Sequence, residues 1–196
     1  MRREDTGLED PLTVRVVLIG DTQVGKTSLV YKFVRSNFEE QQRSTIGAVF
    51  HTYEQSYNGN DVVMQIWDTA GQEKYRSLGP IYYRDAAAGI CVFDMTNKDS
   101  FLGIEKWINE FKKHTVEPII YLVGNKVDID DKIAVDKEEA LKFAESQGAK
   151  LFFSSAKTGQ NVKEIFTGLF NDLCSAGKFD TVKKLPEKNN EGSNCC

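Results

Sequence analysis

Five short apolar runs, at residues 14–19, 62–67, 87–93, 119–123 and 151–153, are separated by longer segments of helical period. Runs of this length suit fully buried strands, and helices between them act as crossovers, so the alternation specifies an α/β fold with a mainly parallel sheet. One more strand is expected between Gly47 and Tyr57, joined to Val62 through Asn58-Gly59-Asn60-Asp61, which has the turn chemistry of a β-hairpin. The expected sheet therefore has six strands, one of them antiparallel, with helices on both faces. The last helix is the clearest, because Val162, Ile165, Phe166, Leu169, Phe170 and Leu173 share one face, with Asn161 as N-cap and Glu164 three residues on. It ends near Cys174, before Gly177.

The chain has 196 residues, 40% hydrophobic and 28% charged, which suits one buried core and is short for two. Residues 1–11 read as a flexible extension, 12–177 as the folded domain and 178–196 as a flexible tail rich in Lys, Asn, Glu, Gly and Ser. A monomer is expected. The net charge of -4 gives no basic field for phosphate backbones, so nucleic acid is not expected as a partner. Residues 1–11 have no apolar stretch and position 2 is Arg2 instead of glycine, which argues against a signal peptide and against myristoylation. The longest apolar run is about seven residues, far short of the roughly 18 of a membrane span. Cys91 and Cys174 lie in apolar stretches and read as reduced core residues; Cys195 and Cys196 end the chain and need another explanation.

Four of the five apolar runs lead, directly or after one glycine, into a polar motif. Ligands of open α/β sheets bind beyond the carboxyl ends of the strands, so these motifs converge on one rim. The first is Gly20-Asp21-Thr22-Gln23-Val24-Gly25-Lys26-Thr27, followed by Ser28, which satisfies G-x-x-x-x-G-K-[ST]. Its backbone N–H groups would turn around a β-phosphate, Lys26 would supply a point charge to the β/γ oxygens, and the Thr27 hydroxyl would ligate Mg²⁺. A glycine turn can match by accident, but seldom between a strand and a helix. The second is Asp68-Thr69-Ala70-Gly71-Gln72. Alone, D-x-x-G is usually a turn. Behind a phosphate loop, Asp68 would hold Mg²⁺ through water, Gly71 would allow close approach to a γ-phosphate, and Gln72 would orient an attacking water.

Asn125-Lys126-Val127-Asp128 addresses a base. The Asp128 carboxylate can accept from both N1–H and the exocyclic amine of guanine, whereas adenine offers an acceptor and no amine there. Asn125 would support the base edge and neighbouring loops, and the Lys126 stem would lie along the ring. A solvated loop is the ordinary reading of four such residues; Ser155-Ala156-Lys157 after the last strand argues against it, since the Ala156 N–H can donate to guanine O6. In the polar segment 37–47, Thr45 would complete the Mg²⁺ shell and touch the γ-phosphate, and Phe38 would pack on the guanine. Out of this context Thr45 is an ordinary loop threonine.

With these motifs in order, the chain resembles the Ras superfamily of P-loop NTPases, and within it the Rab GTPases, over roughly residues 12–173 and again at the terminal cysteines. The similar stretches are Ser44-Thr45-Ile46-Gly47-Ala48-Val49-Phe50, the run from Gln65 through Trp67, Asp68 and Gln72 to Arg76, Tyr82-Tyr83-Arg84-Asp85-Ala86 and Phe93-Asp94-Met95-Thr96. The resemblance implies a GTP/GDP switch with Mg²⁺ as cofactor, in which Thr45 belongs to a first switch and Gly71 to Tyr83 form a second. It also implies an exchange factor, a GTPase-activating protein, Rab-type effectors, and prenylation escort and GDP-dissociation-inhibitor proteins as partners. Cys195 and Cys196 resemble a double-geranylgeranylation site, implying attachment to the cytoplasmic face of intracellular membranes with a cytosolic pool. The switch-proximal stretches are most similar to the endocytic, early-endosomal branch. Phe50, Trp67 and Tyr82 would face effectors or lie in the core, both readings being open. Thr22, Gln23, Asp85 and Ser154 depart from the commonest pattern without removing a ligand. Trp107, His51 and His114 read as structural, since no metal-ligand spacing surrounds them. A guanine-nucleotide-binding scaffold without hydrolysis is the alternative function; a P-loop ATPase or nucleoside kinase is opposed by Asp128.

Overall fold

Strand β1 (Leu12–Ile19) carries apolar side chains on both faces, and this alone makes it a centre strand. A computed structural model describes residues 11–38, 45–71 and 79–181. Val14, Val16 and Leu18 face one layer of the core with Leu29 and Val30 of helix α1 (Lys26–Arg35) and Phe166, Leu169 and Phe170 of helix α5 (Val162–Ser175). Val17 and Ile19 face the other, with Tyr83 of the short helix α2 (Gly79–Tyr83), Ile104, Ile108 and Phe111 of helix α3 (Lys98–Lys113) and Ala140 and Ala144 of helix α4 (Lys137–Gln147). The period of two along β1 thus places helices on both faces.

Strands β2 (Ala48–Tyr57), β3 (Asn60–Thr69), β4 (Ala88–Asp94), β5 (Ile119–Asn125) and β6 (Lys150–Phe153) complete a sheet of order β2-β3-β1-β4-β5-β6. Only β2 on this path is antiparallel, paired to β3 from Ala48↔Thr69 to Tyr57↔Asn60. Asn58 and Gly59 both have positive φ, 51° and 84°, the geometry that an Asn-Gly hairpin turn demands. Every residue of β4 is buried, as a strand covered by helices on both sides requires.

Two features differ from the expectation. A two-residue strand β7 (Asp180–Thr181) pairs antiparallel with Thr13 and Leu12, adding a seventh strand at the end of β1 remote from the motifs. Asn161 does precede α5, but its φ of 57° turns the side chain away from the helix, and its Nδ2 donates to the Phe153 carbonyl at 2.7 Å instead of capping. Cys91 and Cys174 are buried core residues, as read. Asp85 has φ of 61°, which gives the physical reason that glycine suits this position.

Candidate functional site

Four loops meet at the carboxyl ends of β1, β3, β5 and β6. The first runs from Gly20 to Gly25, and Gly25 (φ 97°) takes the N-cap position of α1 with no side-chain cap, leaving the first-turn N–H groups directed into the loop. A Cβ on Gly25 would fall 2.3 Å from Asn125 Nδ2, so the tight seating of this loop requires glycine. Gln23 is left-handed at φ 63°, a conformation that costs a non-glycine residue energy and that here serves the turn.

Lys26 is only 5% exposed, and its Nζ donates to the carbonyls of Gly20 at 2.8 Å and Asp21 at 2.7 Å. An ammonium has three donors, so capacity remains for a ligand. Burial pushes the Lys26 pKa down to about 8, against the pull of Asp68 and Asp21. Burial likewise raises Asp68 to about 6, although the Thr27 hydrogen bond and the Lys26 charge favour its ionised form. Two opposite charges are therefore held with poor solvation, a mark of sites that receive a charged ligand.

The hydroxyl of Thr27 donates to Asp68 Oδ2 at 2.6 Å and lies 2.8 Å from the Thr45 hydroxyl. Asp68 Oδ1 is buried with no hydrogen-bond partner among the described residues. Three oxygen-bearing side chains from separate elements thus converge, a hard donor set of the kind Mg²⁺ prefers. Gly71 closes the site: a Cβ there would sit 2.4 Å from the Asp21 carbonyl and 2.5 Å from Lys26 Nζ.

Asn125, fully buried, links the remaining loops. Its Nδ2 donates to the Val24 carbonyl at 2.9 Å, and its Oδ1 accepts from the Ala156 N–H at 3.1 Å. The Ala156 N–H reserved above for guanine O6 is therefore engaged, and donation to a base requires that hydrogen to be shared. Ser155 Oγ accepts from the Thr158 N–H at 3.0 Å, shaping the loop instead of pointing at a ligand. Lys126 is left-handed at φ 69°, and its Nζ pairs with Asp94 Oδ2 at 2.6 Å. Asp94 also accepts from the N–H and hydroxyl of Thr96. Its position at the end of a buried strand was the signal for this anchoring role, which the motifs alone missed. Asp128 is half-buried. Phe38 is half-buried and packs on the α1/α5 side of the core, and Lys157 is exposed.

Gln72, Cys195 and Cys196 lie outside the described residues, as do residues 1–10 and most of the tail. Among the described residues no group of three or more His, Cys, Asp or Glu side chains is arranged to hold a metal, and no helix is long and apolar enough to cross a membrane. Phe50, Trp67 and Tyr82 are neither core nor isolated: ring centroids lie 5.3 Å apart for Phe50–Trp67 and 5.9 Å for Trp67–Tyr82, and Phe50 is 46% exposed. Ile46, Val49 and Ile81 add exposed apolar surface from the same segments.

A glycine-lined loop opening a helix, on the rim of a doubly covered parallel sheet, defines the P-loop NTPase class. The sequence profile of the Ras family matches residues 15–175. The chain is 41% identical over 191 residues to Ras-related protein Rab5 of Nicotiana tabacum, covering 94% of this chain and 96% of the relative. It is 47% identical over 176 residues to Ras-related protein RHN1 of Nicotiana plumbaginifolia, with 89% and 82% covered, and 41% identical over 163 residues to Ras-related protein Rab-21 of Geodia cydonium, with 83% and 71% covered. The chain belongs to the Ras family and is a Rab-type GTPase.

Proposed function

We propose that the chain is a Mg²⁺-dependent guanine-nucleotide switch that hydrolyses GTP slowly and acts in endocytic vesicle traffic. The observation that carries this reading is the meeting of Thr27, Thr45 and Asp68 within hydrogen-bond distance, with one buried Asp68 oxygen unsatisfied. Thr27 and Thr45 would hold the cation directly and Asp68 through water. Bound Mg²⁺ supplies charge neutralisation at the β- and γ-phosphate oxygens. Lys26 adds a cation to the same oxygens, the first-turn N–H groups of α1 receive the β-phosphate, and the Thr45 and Gly71 N–H groups sense the γ-phosphate. Gln72 orients the attacking water. Cleavage of the γ-phosphate removes the contacts that hold Thr45 and Gly71, and the switch segments relax.

Asp128 selects guanine, Asn125 holds the loops around the base, the Lys126 stem flanks the ring and Phe38 covers it. The half-exposed ladder of Phe50, Trp67 and Tyr82 sits between the two switch segments, where an effector reading the GTP state would dock. An exchange factor, an activating protein, a prenylation escort and a GDP-dissociation inhibitor complete the cycle, and similarity to Rab5, RHN1 and Rab-21 supports endosomal membranes as its place. A scaffold without hydrolysis is disfavoured by the presence of both Gln72 and Thr45.

Single-turnover hydrolysis of GTP tests the reading. The wild type is expected to turn over slowly, since the phosphate loop has no arginine, and to be accelerated about 10³- to 10⁵-fold by a partner's arginine, as is general for this class of enzyme. Gln72→Leu is expected to slow hydrolysis at least tenfold with GTP affinity nearly intact. Equal rates in variant and wild type would remove Gln72 from the mechanism, and retention of nucleotide in excess EDTA would remove the metal.

A further inference from the structure

A carboxylate in a phosphate loop is a liability, because it shares its surroundings with the polyphosphate. Asp21 is such a residue, and its side chain is turned away from the loop. Its Oδ1 accepts from the Trp107 indole N–H at 2.7 Å. Its Oδ2 lies over Gly103, where an added Cβ would come within 3.3 Å. Gly103 and Trp107 are four residues apart and share one face of α3, so the carboxylate rests in a notch formed by the missing side chain of one and the ring edge of the other. Trp107 is 4% exposed, and α3 is a 16-residue helix capped by Asn97, whose side chain accepts from the N–H groups of Asp99 and Ser100.

The main chain of the same residue is fixed from the other side. The Asp21 carbonyl accepts from Lys26 Nζ at 2.7 Å, and Gly71 is pressed so close that an added Cβ would collide with that carbonyl. The orientation of Asp21 therefore determines where the Lys26 ammonium points and how closely the γ-phosphate sensor approaches it. We propose that Trp107 is a positioning residue for nucleotide retention: its indole N–H holds the Asp21 carboxylate against α3, off the polyphosphate, and so sets the carbonyl that aims Lys26. The pair spans 86 positions in sequence and couples a helix with no phosphate contact of its own to the loop that makes them.

The inference rests on guanine nucleotide occupying this rim, and one assay separates the two. Release of a fluorescent GDP analogue from full-length protein with Mg²⁺ is measured for wild type, Trp107→Phe, Asp21→Leu and the double variant. Trp107→Phe keeps an aromatic ring and loses only the N–H and part of the ring area; it is expected to release GDP about tenfold faster or more, tenfold being the low end for loss of a hydrogen bond to a charged group. The double variant is expected to release no faster than Asp21→Leu alone, because both substitutions break one contact. Rates that multiply, or a Trp107→Phe rate equal to wild type, overturn the proposal, since a purely packing role gives independent effects. Should Trp107→Phe fail to fold, Asp21→Asn decides: keeping an acceptor oxygen, it should release GDP more slowly than Asp21→Leu, and equal rates overturn the coupling. A wild type that holds no GDP overturns the site reading and this inference together, whereas normal wild-type retention beside an unaltered Trp107→Phe overturns the inference alone.

Discussion

On the proposed reading, base selection falls to Asp128. Asp128 is half-buried, while its neighbour Lys126 is tied to Asp94 and Asn125 to the phosphate loop. The surrounding loop is thus fixed by other residues, which on the proposed reading leaves the Asp128 acceptor pair to a ligand. A site whose polar group is satisfied only by the right substrate can discriminate by roughly 10⁴ or more, because the wrong base leaves the group unpaired. Asp128→Asn replaces one acceptor by an amide donor, which matches the carbonyl that xanthine carries in place of the guanine amine. Preference is expected to move from GTP to XTP, read by competition binding with GTP, ATP and XTP. An unchanged preference for GTP would sink the assignment of Asp128.

The β2–β3 hairpin is the element that joins the two switch segments, and its inner face includes a titratable group. His51 is buried on β2, meets Tyr31 of α1 edge-on at 5.5 Å between ring centroids, and has no hydrogen-bond partner for Nε2 among the described residues. Burial, and then the charge of Arg35, hold its pKa below the ordinary imidazole range. The folded state therefore favours the neutral ring. The resulting stability is present above the unfolded-state value of about 6.5 and is lost as pH falls through that range towards the depressed folded value. Between pH 7.5 and 5.5 the wild type is expected to lose more thermal stability than His51→Phe, which keeps the edge contact and cannot protonate; equal losses would exclude this linkage. Much of the hairpin, and the rim beyond it, was legible in sequence because both rest on local rules: Asn58-Gly59 dictates its own turn, and strand-end motifs converge wherever a parallel sheet forms. What escaped was non-local or ambivalent. Trp107 reads as core from its helix face, and nothing within α3 reveals that its N–H meets Asp21. Asn161 has the composition of a cap, yet the left-handed turn before α5 and the Phe153 carbonyl compete successfully for its side chain. The pairing of β7 with β1 depends on where the chain returns after α5, which no local pattern encodes.

At the scale of the whole molecule, the two ends of β1 serve different parts of the proposed reading, one leading to the phosphate loop and the other to the start of the tail. The carboxyl end of β1 leads into Gly20 of the phosphate loop, and its other end pairs with β7, so Thr181 lies at the end of β1 opposite that loop. Coil statistics would give the roughly 15 residues from 182 to 196 a span of roughly 20 Å, which would let the domain stand off a bilayer. Lys178, Lys183, Lys184 and Lys188 stand against Asp180, Glu187 and Glu191, leaving a small positive excess. At about 1 kcal/mol per basic residue near an anionic surface, and with most of these charges offset, electrostatics alone attaches the chain weakly. A single lipid chain also gives marginal, reversible binding, whereas two give stable attachment. Adjacent Cys195 and Cys196 offer two such positions on the proposed reading. A frayed, oxidisable end or a metal-binding pair is the competing reading. Deleting both cysteines is expected to leave GTP binding intact and move the protein wholly into the cytosol, and replacing either one should weaken membrane retention more than neutralising Lys183 and Lys184 together. Mass spectrometry of the membrane-bound pool from a prenylating eukaryotic host is expected to find both thiols modified by isoprenoid chains. Two unmodified thiols on that pool would refute the lipid anchor, and release by a chelator or a reductant would identify the competing reading as the correct one.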